Sequence, residues 1–244
     1  MKIYGKNPVL ERLKSNPQSI KRIFVQAGHP EHSYIALKAK KYGIPIIVSH
    51  AHQLLKVGKS RNTQGLVMDV EDFSYSNYEE LLDVAVEQGL ILIFLDGLMD
   101  PQNLGGILRT VGSLGGFAVI LPTHDSVEVT DTVLRVACGG ENHTKVSKVN
   151  NLNNALEKAK DKGFTIAGSV VKDGVSIYDA VLPFPLGIVI GSEDKGIRDI
   201  VQQRLDLKLT IPMAQPRMSL NAAHATTIFS YEAIKQKKIQ NKKR

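Results

Sequence analysis

From residue 90 onward, short apolar runs rich in Ile, Leu and Val recur between segments of mixed polarity. The runs at 90–95, 117–121, 164–169 and 186–190 are apolar almost without interruption, while 144–149 and 207–211 alternate apolar residues with lysine, serine or threonine. All six have strand length and predict strands; the intervening segments 105–114, 133–137, 152–162, 197–204 and 221–237 predict helices. Apolar strands separated by helices predict an α/β fold with a mostly parallel sheet covered on both faces, whose ligands sit at the carboxyl ends of strands. The first seventy residues predict a separate, smaller α/β unit: helices at 7–13 and 32–41, strands at 20–25, 44–48 and 65–70. After Phe73-Ser74-Tyr75-Ser76-Asn77 a new helix begins near Tyr78, with Asn77 or Ser76 as its cap. These patterns divide the chain into a first domain over 1–71, a linker over 72–84 and a second domain over 85–244.

Composition changes this picture in two respects. The 244 residues are 43% hydrophobic, enough for two modest cores, with no apolar run of membrane-spanning length and no secretion-signal pattern at the start. A soluble, cytoplasmic protein is expected. A single cysteine, Cys138, excludes an internal disulfide, and the seven histidines lack ligand spacing, so no structural metal is expected. The net charge of +7 hides a division. Residues 1–61 hold twelve Lys/Arg against Glu11 and Glu31, and the last ten residues add six basic groups, while 62–234 carry a net charge of −9. Positive ends on an otherwise acidic chain point to a polyanionic partner, with nucleic acid first among them.

The candidate chemistry lies in three loops that follow strands. The first, Asp96-Gly97-Leu98-Met99-Asp100-Pro101-Gln102-Asn103, opens into a helix carrying Arg109; the second is Gly191-Ser192-Glu193-Asp194-Lys195-Gly196; the third runs from Ile211-Pro212-Met213 to Ser219-Leu220-Asn221-Ala222-Ala223-His224. Each alone has an ordinary reading. The glycines suit turns, Asn103 suits a cap for a helix starting at Leu104, Ser219 suits a cap for the last helix, and Arg109 suits a solvated helix face. None matches the phosphate-cradling Gly-x-x-x-x-Gly-Lys-Ser/Thr pattern or the dinucleotide Gly-x-Gly-x-x-Gly pattern.

In this order and at these spacings the three loops resemble the motifs of the SpoU/TrmH family of RNA ribose 2′-O-methyltransferases, within the SPOUT class. The segment Tyr4-Gly5-Lys6-Asn7-Pro8-Val9-Leu10-Glu11 and the ending Asn62-Thr63-Gln64-Gly65-Leu66-Val67 are similar to the substrate-binding domain of the family's ribosomal-RNA branch, which has a fold like ribosomal protein L30e. The resemblance implies S-adenosyl-L-methionine as cofactor, a homodimer, a trefoil knot near the C-terminus and a structured RNA substrate, 23S ribosomal RNA ahead of transfer RNA. It places Asn103, Arg109, Glu193, Ser219 and Asn221 around the reacting groups, and Gly191, Ile211, Met213, Ser219 and Leu220 against the cofactor. It also makes Arg109 the base that accepts the hydroxyl proton. A guanidinium is protonated and has no acceptor, so steadying an alkoxide, gripping phosphate, or leaving the proton to Glu193 stay open. Two positions depart from the family pattern: Ala223 replaces a usual second serine and Asp194 a usual glycine. A catalytically inactive RNA-binding assembly factor and a small-molecule enzyme are the competing readings. His224, apolar in the family, is read as structural or interfacial.

Overall fold

The computed structural model describes residues 1–215 and 219–242; Pro216, Arg217 and Met218 of the third loop, and Lys243 and Arg244 of the basic tail, lie outside the described residues. In chain order, β1 (Lys2–Tyr4), α1 (Lys6–Ser15), β2 (Ile20–Gln26), α2 (His32–Tyr42), β3 (Ile46–Ser49), α3 (Ala51–Gly58) and β4 (Leu66–Val70) form a first unit. Then come α4 (Tyr78–Gln88), β5 (Ile91–Asp96), α5 (Pro101–Leu114), β6 (Phe117–Pro122), α6 (Asp131–Ala137), β7 (Lys145–Val149), α7 (Leu152–Asp161) and β8 (Thr165–Ser169). The chain continues through β9 (Val175–Ser176), β10 (Leu186–Gly191), α8 (Asp199–Gln202), β11 (Leu207–Thr210) and α9 (Ala222–Lys242).

The second unit is the parallel α/β sheet that the apolar runs predict, its six expected strands joined at one edge by the unexpected two-residue β9, in the order β7-β6-β5-β10-β8-β11-β9. Successive side chains of a strand point to opposite faces. Ile91, Ile93 and Leu95 therefore pack with Leu104, Ile107 and Leu108 of α5 and Phe229 of α9, while Leu92 and Phe94 pack with Leu81 of α4 and Leu156 of α7. Each such side chain, fully buried, contributes about 1.5–3 kcal/mol. Strand order runs from β5 outward through β6 to β7 on one side and through β10 to β8 and β11 on the other. The winding thus reverses between β5 and β10, which opens a crevice where ligands of such sheets bind.

The first unit is a mixed sheet, β1-β4-β2-β3, with α1 and α2 packed on one face and α3 on the other. Neither β1 nor α3 is evident in the sequence pattern. Three residues make too short a strand to read, and α3 follows β3 directly, its start fixed by a capping box in which the His50 N–H donates to the Gln53 side chain at 3.1 Å. Residues 78–84, expected within the linker, are the first turns of α4. Its start at Tyr78 is as expected, since the Asn77 side chain accepts the Glu80 N–H at 3.2 Å. Tyr78, Leu81 and Leu82 are buried against the large sheet, so the connection between the units is the stretch 71–77. The two units are docked: the Lys2 N–H donates to Asp131 at 2.9 Å, and Arg12 pairs with Glu141 at 2.8 Å with side chains only 7% and 1% exposed.

Candidate active site

The carboxyl end of β5 delivers the first loop beside the second, because Asp96 pairs in register with Gly191 of β10. Asp96 is buried and accepts from the Arg198 backbone N–H at 2.8 Å and from its guanidinium through Nε at 2.8 Å and Nη2 at 2.7 Å. This charge-assisted pair, with the guanidinium on Oδ1 and the backbone N–H on Oδ2, ties the two loops together. Helix α5 begins at Pro101, not at 105. Proline fits the first helical position and Asp100 caps the helix, accepting the Gln102 N–H at 2.8 Å. Asn103 is therefore no cap; it lies within the first turn, buried, and its side-chain amide donates to Glu193 Oε1.

Glu193 sits on a tight turn after β10, closed by Ser192 N–H to the Gly196 carbonyl at 3.1 Å and Gly196 N–H to the Ser192 carbonyl at 2.9 Å. A methyl built on Gly191 would overlap the backbone of Gly196 and Ile197, so the turn requires glycine at the strand end. The same Glu193 oxygen accepts the backbone N–H of Ala222 at 3.2 Å. That donor is one of the unpaired amides at the start of α9, where a carboxylate is stabilised by the helix dipole. The cap of α9 is Asn221, whose side chain accepts the His224 N–H at 2.8 Å, rather than Ser219. Glu193 thus joins all three loops at one carboxylate.

Two cavities flank this junction. One of about 650 Å³ is lined by Asp96, Asp100, Asp125, Glu193, Lys195 and Arg198. The other is a narrow cleft of about 60 Å³ where Ile211, Met213, Ser219 and Leu220 meet Val170, Val171 and Thr210. Four of the five residues expected at the cofactor line this cleft together; Gly191 instead shapes the neighbouring turn. The chemistry of the lining, apolar walls with the hydroxyl residues Ser169, Thr210 and Ser219, fits an adenosyl group. The volume is below the roughly 300 Å³ of a small-molecule site, so binding requires the cleft to widen. The residues from the end of β8, 169–171, are additions that the three loops did not announce: Ser169, Val170 and Val171 are of ordinary strand type, and only the fold brings them against the third loop.

Arg109 stands apart. Six positions beyond Asn103, it lies about 120° around the helix and about 9 Å along it. It is exposed and shares with Glu11, Cys138, Gly139 and His143 a different cavity, of about 400 Å³. Burial pushes the Cys138 thiol up, with Arg109 acting in the opposite sense. The two departures also find their places. Ala223 faces Gly106 of α5, where an added methyl would come within 3.1 Å of its Cβ, so this small pair lets α5 and α9 approach. Asp194 is exposed on the turn beside Glu193, and His224 is exposed on the first turn of α9.

Residues 90–231, which contain all three loops and both cavity linings, match the model of the SpoU rRNA Methylase family. The chain belongs to this family. Residues 2–76, the first unit and its connection, match a second model, RNA 2′-O ribose methyltransferase substrate binding. Among relatives of this SpoU member, the 23S rRNA (guanosine-2′-O-)-methyltransferase RlmB of Pseudomonas putida is 32% identical over 245 residues, covering 98% of each chain. An uncharacterised tRNA/rRNA methyltransferase of Synechocystis is 34% identical over 241 residues, 96% of this chain; the chain spans 62% of that longer protein. In fold, the SpoU methyltransferase AviRb of Streptomyces viridochromogenes, solved in complex with AdoMet, superposes with a TM-score of 0.79 at 20% identity over 97% of this chain and 90% of that one.

Proposed function

We propose that the protein is an S-adenosyl-L-methionine-dependent methyltransferase acting on a ribose 2′-hydroxyl of 23S ribosomal RNA. The observation that carries this reading is the convergence of three loops on Glu193, with an apolar cleft on one side and an open polar cavity on the other. The cofactor would supply an activated methyl on a sulfonium; Ile211, Met213, Ser219 and Leu220 would hold it, while the 2′-hydroxyl enters from the polar side. Holding the two reactants in line is the main catalytic contribution. Asn103 and the Ala222 amide fix one Glu193 oxygen, leaving Oε2 to accept the hydroxyl proton; Asn221 would serve by capping the helix that presents the Ala222 amide, and Ser219 from the wall of the cofactor cleft.

Arg109 enters this reading through a homodimer. Its exposure and its separation from the Asn103–Glu193 pair within one chain support delivery of the guanidinium to the site of a second copy, where it would steady the alkoxide or a substrate phosphate. A trefoil knot near the C-terminus belongs to the same reading. So does a cytoplasmic location alongside ribosomal RNA; no described helix is long and apolar enough to cross a membrane. The basic first unit, matching a substrate-binding model, supports RNA as substrate. The test is incubation with methyl-labelled cofactor and 23S RNA lacking its 2′-O-methyl groups, with mapping of the labelled nucleotide. Retained RNA binding without incorporation would favour an assembly factor instead.

A further inference from the structure

The 37 residues from His32 to Met68 hold six Lys/Arg and no Asp or Glu. None of the six meets a carboxylate among the described residues, whereas Lys2, Lys6, Arg12 and Arg22 of the same unit each do. Half of them, Lys56, Lys59 and Arg61, lie on or just after α3, the helix on the second face of the small sheet. Leu54 and Gly58 are buried and fix the inward side of this helix. His52 and Lys56, four positions apart and so one turn from each other, fall on the opposite side; both are exposed, with Leu55 beside them. Lys59, which ends the helix, and Arg61 in the loop beyond it are exposed as well. Two imidazoles open this stripe. His50 and His52 both face solvent, their rings parallel to within 6° and their centroids 6.2 Å apart.

Cations without counter-charges attract a polyanion, and each phosphate they neutralise adds affinity by releasing condensed counterions. The rings are a separate signal. An exposed flat imidazole is of the kind on which unstacked bases rest, and bases in a duplex are already stacked on one another. Charge and rings together therefore favour an unpaired stretch of RNA over a duplex or an acidic protein. The stripe falls wholly within the residues matching the substrate-binding model, and it is separate from the three loops of the methyl-transfer site. We infer that the outward side of α3 is the docking surface for a single-stranded stretch of the RNA substrate. Lys56, Lys59 and Arg61 grip its phosphates, and an unpaired base rests on the His52 ring. The grip is indifferent to sequence, because every base has a flat face and every nucleotide a phosphate; it selects unpaired strand over helix. The inference rests on RNA being the substrate and deepens that reading.

Fluorescence anisotropy of the full chain with a short labelled single-stranded RNA, and with the same strand in a duplex, tests the surface directly. Tighter binding of the single strand is expected. Lys56→Ala, Lys59→Ala and Arg61→Ala together should lower the slope of log affinity against log salt by about two, at roughly 0.7 per phosphate contact. His52→Ala should weaken binding about tenfold with the slope kept, and His52→Phe should restore it, because a ring replaces a ring. All these side chains are exposed, and thermal melting checks that each variant folds. Equal binding of strand and duplex, an unchanged slope in the triple variant, or His52→Phe binding as weakly as His52→Ala overturns the inference. In methylation of 23S RNA the weakened variants should raise KM and leave kcat unchanged. Variants that bind RNA as the wild type does, in an enzyme that methylates RNA, defeat only the docking surface. Weakened variants of a protein that methylates no RNA defeat only the proposed reaction.

Discussion

At the scale of single residues, Glu193 has the most to answer for, because one carboxylate both ties three loops and is placed to take a proton. Glu193→Gln keeps an oxygen for Asn103 and Ala222 but loses basicity, so melting should be near normal while kcat falls about 10²–10⁴-fold. Near-normal turnover would remove Glu193 from proton transfer. Asp69 offers a pH-dependent test of stability. Burial pushes its carboxyl up, but hydrogen bonds and charge from Lys2 at 2.6 Å and Arg22 at 2.6 Å outweigh this and hold it below the usual aspartate range. A depressed carboxylate contributes stability that is full above its unfolded value and is lost as the pH falls through the folded one. Acid melts below about pH 4 should therefore fall less steeply in Asp69→Asn than in the wild type; an identical acid limb in the variant would assign the loss to other carboxylates.

At the scale of elements, the site depends on where helices begin and how closely they pack. The continuous apolar strands were legible because a strand buried on both faces must be apolar throughout, and the Asn77 cap of α4 was legible from residue type. The true start of α5 was not, since Asp100, Pro101 and Gln102 read as polar loop although they supply cap, first position and first turn. Helix α8 is shorter than its pattern because Arg198 is committed to Asp96 and the Asp206 N–H to the Ile166 carbonyl. Gly106, inside the helix the sequence predicts, serves packing against Ala223 of α9. Gly106→Val should force α5 from α9, cost about 1–3 kcal/mol by denaturant melts and displace Asn103, lowering methyl transfer; a variant as stable as wild type would show that the contact yields.

At the scale of the whole molecule, two couplings matter, one between units and one between copies. The buried Arg12–Glu141 pair joins the units, and burial holds the Arg12 guanidinium down and the Glu141 carboxyl up, each against the attraction of the other. Removing one partner leaves an uncompensated charge, so Arg12→Met should destabilise by about 3–5 kcal/mol in chemical melts, and Arg12→Met with Glu141→Gln together by clearly less. For the dimer, a mixture of inactive Arg109→Ala and Glu193→Gln chains should recover activity on subunit exchange, since one site of each mixed dimer then holds both native groups. No recovery would place Arg109 and Glu193 on the same chain's site. What the sequence by itself determined is the α/β class, the loop-bearing strand ends and the residue types needed for methyl transfer, because apolar periodicity and side-chain chemistry are local properties. Only the tertiary structure decided that Asn103, Glu193 and Ala222 meet and that Arg109 turns away. Those outcomes depend on the reversal of strand order between β5 and β10 and on helical rotation, which bring together or separate residues irrespective of their spacing along the chain.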